Sequence, residues 1–294
     1  MQRLWRSAEN PWGQEVLIGV SWDLMWAAVI GAALFLVGHA IWIKTRPAEE
    51  HAAPATVPPG IPEKIERHSL ASRVFHWTMS VSMLALLVTA FGPVMGWQFP
   101  WVQIHWMAGV LLIATVVYHV IHAVGWQDFW SMFKVDVGEG RAHLKHVLSS
   151  KAPPPPKAGK YPFDHRLYHH AIVVVTLAAI VTGVLMMVRI DTPFWTRNPY
   201  LLGDAAWGVM YVVHGLSGVA LILLVAAHIY FAVRPEKRWL TWSMIRGWID
   251  RDDYLEHFDP EKWKVGGSSG ASVESGGGRS GALADAAVSA PRED

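Results

Sequence analysis

The chain has 294 residues, of which 52% are hydrophobic and only 17% charged, with a net charge of +1 and a mean hydropathy of +0.23. That composition excludes an ordinary soluble domain and points to a lipid bilayer, and no nucleic-acid partner is expected. The absence of cysteine excludes disulfides, zinc–thiolate sites and cysteine-ligated iron–sulfur clusters, leaving 15 histidines and 11 methionines as candidate ligands for redox chemistry.

Five apolar stretches, at about 17–43, 74–95, 102–124, 167–189 and 207–233, approach or exceed the roughly 20 residues needed to cross about 30 Å of hydrocarbon. The first lacks a small-residue cleavage site and is too long for a signal-peptide core, so it reads as retained. Residues 1–46 then form an N-terminal transmembrane unit and 47–72 a Pro- and Ala-rich cytoplasmic linker. Residues 73–233 form a four-helix core, followed by a cytoplasmic amphipathic segment over 234–264. The remainder, 265–294, is Gly- and Ser-rich, has too little apolar content to bury a core, and is expected to be disordered. Trp97, Trp101, Trp195 and Trp207 sit where apolar runs meet loops, as amphipathic rings do at the headgroup level.

Lys and Arg crowd three of the connections: those around Lys44 and Arg73, from Lys134 to Arg166, and from Arg234 to Arg251. The turn Gly96 to Pro100 has no charge, and the last interhelical loop has only Arg189 and Arg197. The positive-inside rule therefore predicts a multi-pass protein of a bacterial inner membrane with a periplasmic N-terminus and a cytoplasmic C-terminus.

Titratable side chains inside spanning helices are costly and mark function by default. The third segment carries His105 and His119 and the fifth His214 and His228, in each case 14 residues apart. At about 100° and 1.5 Å per residue, each pair returns to nearly the same helix face about 21 Å apart along the axis. One face thus presents an imidazole near each membrane surface, the geometry for two stacked haems b each held by histidines of two helices. Chain direction pairs His105 with His214 at the outer depth. At the inner depth His228 pairs with either His76 or His119, and direction alone allows both. Gly109, Gly215 and Gly218 beside these residues would let a flat macrocycle approach the backbone or would let helices pack closely. The expected fold is an all-α membrane protein, a four-helix haem-binding bundle with one additional N-terminal helix. In that helix Asp23 and His39 stand near opposite ends, and His39 reads as a boundary residue. His51, His68, His143, His146 and His257 fall in loops or the tail and suggest no chemistry.

The segments Arg73-Val-Phe-His-Trp77, Ile104-His-Trp-Met-Ala-Gly109, Gly159-Lys-Tyr161, Val213-His-Gly215 and Ala227-His-Ile-Tyr230 occur in that order. The set resembles the gamma, or cytochrome b556, subunit of respiratory formate dehydrogenases and the related hydrogenase cytochromes b, over about residues 65–264. The resemblance implies one ligand from the first core helix, one from the second and two from the fourth. That assigns His105 with His214 to the outer haem and His76 with His228 to the inner one. It also implies an electron-transfer subunit between a periplasmic iron–sulfur or multihaem partner and the quinone pool, with no catalytic residue of its own. Quinone would bind near Gly159-Lys-Tyr161, with Tyr161, His165, His169 and Asp164 close by for proton uptake, and with Arg73 and Arg166 toward haem propionates. An asparagine usual after the tyrosine is replaced here by Pro162. The two-ligand helix also resembles the quinol-oxidising cytochrome b of bc complexes, which would use His119. A haem-free anchor is a further reading, at the cost of leaving both 14-residue spacings without a cause.

Overall fold

The computed structural model describes residues 4–45, 59–127, 129–149 and 152–265. The chain opens with an antiparallel hairpin, β1 (Trp5–Glu9) and β2 (Glu15–Val20), before helix α1 (Trp22–Lys44). Ser21 caps α1 by accepting from the Asp23 amide. Residues 17–20, expected in the first helix, are therefore strand. The β-branched Val16, Ile18 and Val20 suit a strand, and Gly19 takes a φ of +147° beside the register shift at Arg6 and Ser7.

After β3 (Lys64–Glu66), helix α2 (Leu70–Phe91) turns through a short 3₁₀ segment into α3 (Trp101–Trp126). Two short helices follow, α4 (Phe129–Phe133) and α5 (Val137–Leu148), then α6 (Phe163–Met187) and the 30-residue α7 (Asp204–Val233). The chain closes with α8 (Arg238–Arg246), β4 (Trp248–Asp250) and α9 (Arg251–His257). Among the described residues five helices are long and apolar enough to span a bilayer, so this is a multi-pass, mostly helical membrane protein. The tail expected to be disordered lies outside the described residues from 266 onward, as do residues 46–58 of the linker and His51.

Helices α2 and α3 pack into one hairpin and α6 and α7 into another, with thinner contact across the cleft between them. Midway along that cleft sits an apolar layer of buried Met83, Leu112 and Leu221. The second of the expected linker's two halves is structured, because β3 pairs with β4 to join residues before α2 to the chain after α7. Ile65, Ile249, Tyr254, Leu255 and Phe258 form a second apolar core there, closing one end of the bundle as a cap. Helix α5 lies against the start of α6, where Gly140 makes room for the Phe163 ring and Glu139 pairs with Arg166.

The opposite end carries the β-hairpin, which packs on α7. Leu17 occupies the space that a Cβ on Gly208 would need, at 2.8 Å, and Val20 does the same at Gly215. Gly215 therefore admits a strand, a Cβ on Gly109 would stand 4.0 Å from Leu86 Cδ2, and Gly218 opens onto space. Trp97, Trp101 and Trp195 are exposed as an interface requires, but Trp207 is only 1% exposed. Its indole donates to the Pro199 carbonyl at 3.0 Å under the Arg189 guanidinium, so it braces the loop above it. Helix α1 is fastened to α7 by His39, whose Nδ1 lies 3.0 Å from the Tyr230 hydroxyl and 3.3 Å from Arg234 Nη1, with Phe231 edge-on to the ring.

Candidate functional site

The cleft between the two helical hairpins holds histidines in two layers. Near the hairpin end, His105 of α3 faces His214 of α7 with ring centres 6.1 Å apart. Near the cap end, His76 of α2 faces His228 of α7 at 6.3 Å. The apolar layer lies between them: Met83 is seven residues from His76, Leu112 seven from His105 and Leu221 seven from both His214 and His228. Seven residues are about two turns, roughly 10 Å, so each layer of imidazoles is separated from the other by packed hydrocarbon.

At the hairpin-end pair, two threonines determine the tautomer. Thr89 Oγ1 donates to the Ala85 carbonyl at 2.7 Å and Thr182 Oγ1 to the Ala178 carbonyl at 2.7 Å, the usual helical back-bond of a threonine. With its proton committed, each hydroxyl offers only lone pairs to the imidazole nitrogen beside it. His105 Nδ1 lies 2.8 Å from Thr89 Oγ1, and His214 Nδ1 lies 3.0 Å from Thr182 Oγ1. Both imidazoles are therefore donors at Nδ1, which leaves the Nε2 lone pair of each free for a metal. Gly183 supplies the room: a Cβ there would meet His214 Cε1 at 3.3 Å.

The cap-end pair is built differently. His228 is stacked on Tyr168 at 5.3 Å and 22°, and His76 Nδ1 is buried without a partner. His119 does not meet His228. Its ring lies against Phe75 at 4.4 Å and faces His169 at 6.5 Å. The residues expected around quinone divide into two groups. His169 packs near Phe133 and His119, while His165 lies toward the cap, 3.9 Å from Asp164, with Arg67 and His228 as electrostatic neighbours. Tyr161 is on the same side, under the Lys160 ammonium and beside Arg67. Of the arginines expected near propionates, Arg166 is taken by Glu139, and Arg73 donates through Nη1 to the Ile245 carbonyl at 2.7 Å.

Two residues next to this site were not read as part of it from the sequence. Arg67 is buried in the cap, its guanidinium over Phe258 and Trp263, and burial lowers its pKa to about 10, so it remains a cation at neutral pH. His68, which looked like a loop residue, has its pKa lowered to about 3, first by burial and then by Arg67, Lys160, His76 and Arg73. It is a neutral ring in a basic corner.

The imidazole pairs suit haem. Iron–nitrogen bonds of about 2 Å to the near edge of each ring put two ring centres on either side of one metal about 6 Å apart. Among the described residues no three His, Cys, Asp or Glu side chains converge on a point that would hold a bare ion, whereas paired imidazoles are what a porphyrin iron needs. A family model described as prokaryotic cytochrome b561 matches residues 67–247, more than half of the chain. The chain belongs to that family. This cytochrome b561-family protein is thus a b-type cytochrome of membrane electron transfer, and haem b is the family's cofactor. The match spans α2 to α8 and all four facing histidines, and leaves the β-hairpin and α1 outside it. No curated protein matches this cytochrome closely enough to name a relative.

Proposed function

We propose that the protein is a dihaem b-type cytochrome subunit, with His105 and His214 holding one haem and His76 and His228 the other. The observation that carries this reading is the pair of facing imidazoles at 6.1 and 6.3 Å on opposite sides of one apolar layer. Each haem, when bound, supplies a one-electron centre in a low-dielectric interior. The chain's own part is to fix the imidazole tautomers, exclude water and hold the two centres at opposite depths.

Among the described residues, Arg6, Arg189 and Arg197 are the basic side chains near the hairpin end, whereas Lys157, Lys160, Lys237, Arg238 and Arg246 belong to the cap end. The positive-inside rule then makes the cap cytoplasmic and the hairpin periplasmic. In this arrangement a periplasmic iron–sulfur or multihaem partner, of formate dehydrogenase or related type, docks at the hairpin end. Quinone exchanges electrons at the cap end beside Tyr161 and His165, with His169 across the cleft. Proton uptake there draws on the same side chains.

The bc-like reading needs His119 opposite His228, and the distances support His76 instead. The haem-free anchor leaves the two facing imidazole pairs, at 6.1 and 6.3 Å on either side of one apolar layer, without a purpose. Reduced-minus-oxidised spectra of the purified protein test the proposal, with dithionite and then a quinol as reductant. A b-type α band with both reductants is expected, with one component lost in His76→Ala and both kept in His119→Ala. Loss with His119→Ala alone supports the bc-like arrangement, and absence of the band in the wild-type protein leaves only the anchor.

A further inference from the structure

The cap holds a full positive charge that no carboxylate neutralises among the described residues. Arg67 is 6% exposed, and only one of its nitrogens is satisfied, Nη2 donating to the Lys160 carbonyl at 3.3 Å. Its Nε and Nη1 are buried without partners. The guanidinium lies 4.9 Å over the Phe258 ring and 5.5 Å over Trp263, and the Lys160 ammonium lies 6.0 Å over the same Trp263. Aromatic faces soften the cost of burying a cation, but they give nothing to the N–H groups in the guanidinium plane. A buried charge with unfilled donors costs several kcal/mol unless an anion completes it. This residue type, with planar donors and a fixed charge, selects a carboxylate or phosphate.

What lies next to Arg67 narrows the choice. His68 has both Arg67 and His76 as electrostatic neighbours, and His165 has both Arg67 and His228. The open donors thus belong to the corner between the cap and the cap-end imidazole pair. Of the arginines that looked suitable by sequence, Arg166 is paired with Glu139 and Arg73 donates to the Ile245 carbonyl, and each leaves only its Nε buried without a partner, against two such nitrogens on Arg67. We propose that Arg67, backed by Lys160, is a carboxylate site that takes a propionate of the haem held by His76 and His228. This rests on the dihaem reading above. The same donors would accept a free anion or a lipid phosphate, and the experiment separates those sources.

Ferric haem carries one more positive charge than ferrous haem, so a nearby cation favours reduction and its removal lowers the midpoint potential. Redox titration of the purified protein tests the site. In Arg67→Gln, one of the two haem waves shifts to lower potential and the other stays. In Arg67→Lys, which keeps the charge, most of the shift is recovered. If Arg67→Gln instead loses one haem while Arg67→Lys keeps both, the result counts equally in favour, read as binding. Reconstitution with haem dimethyl ester, which has no free carboxylate, is expected to give wild type and Arg67→Gln the same haem affinity, whereas with native haem the wild type binds the cap-end haem more tightly. Three outcomes overturn the proposal: unchanged midpoints in an Arg67→Gln protein carrying both haems, the same affinity difference persisting with the ester, or haem loss in Arg67→Lys as well. Persistence with the ester that responds to added phosphate or anionic lipid assigns the site to those ligands. Absence of haem from the wild-type protein instead defeats the dihaem reading itself.

Discussion

Thr89 and Thr182 sit on different helices, yet each spends its hydroxyl proton on its own helix and turns a lone pair toward a histidine of a neighbouring one. Outer partners of this kind set ligand orientation and basicity, and their loss typically costs 10–100-fold in affinity. An Nδ1 proton held by a hydroxyl also makes the imidazole a stronger donor to iron and favours the ferric state. Thr89→Val and Thr182→Val are therefore expected to weaken haem retention by about that factor and to raise the midpoint of one haem component. Haem titration and potentiometry check both, and unchanged values in the double variant would remove the threonines from the account. These residues were not legible beforehand, because a threonine in an apolar helix normally satisfies itself four residues back and nothing in its spacing announces a partner 16 or 32 positions away. His105, His214 and His228 were legible from spacing along α3 and α7. Chain direction left His76 and His119 both open opposite His228, the family resemblance assigned His76, and in the structure the His76 and His228 rings face each other at 6.3 Å.

At the scale of elements, the spans could be read from apolar length, and the five helices fall close to their expected bounds. What composition could not show is where strands replace helix ends. Glu15–Val20 is as apolar as the start of a span, and only its β-branched residues and its fit against Gly208 and Gly215 make it a strand that leans on α7. The cap was hidden for a similar reason. Lys64–Glu66 and Trp248–Asp250 are three-residue strands more than 180 positions apart, too short for any periodic signal. The cap also carries a pH dependence. His257 lies tilted against Trp239 at 4.5 Å, its Nδ1 lies 3.0 Å from the Asp253 carbonyl, and burial holds its pKa below the usual histidine value. The neutral ring is thus favoured in the folded cap, and that contribution is complete above about pH 6.5 and declines as pH falls below it. Hydrogen exchange over residues 251–263, corrected for intrinsic rates, is expected to rise between pH 7 and pH 5. His257→Asn is expected to flatten that rise, and an equal slope in the variant would rule the residue out as its source.

The whole molecule is a cleft with two floors. Thin contact between the α2–α3 and α6–α7 hairpins would be poor design for a bundle stabilised by side-chain packing alone, and the buried residues at mid-depth are few. It suits a bundle completed by flat cofactors, one above and one below Met83, Leu112 and Leu221. The β-hairpin and α1, which lie outside the family match, add a surface at one end of the bundle and a flanking helix pinned through His39. The measurement that bears most directly on this account is the haem content of the purified polypeptide, counted per chain by pyridine haemochromogen and repeated for His105→Ala. Two haems b in the wild-type chain and one in the variant are predicted. None or one in the wild-type chain, or two remaining in the variant, would contradict it.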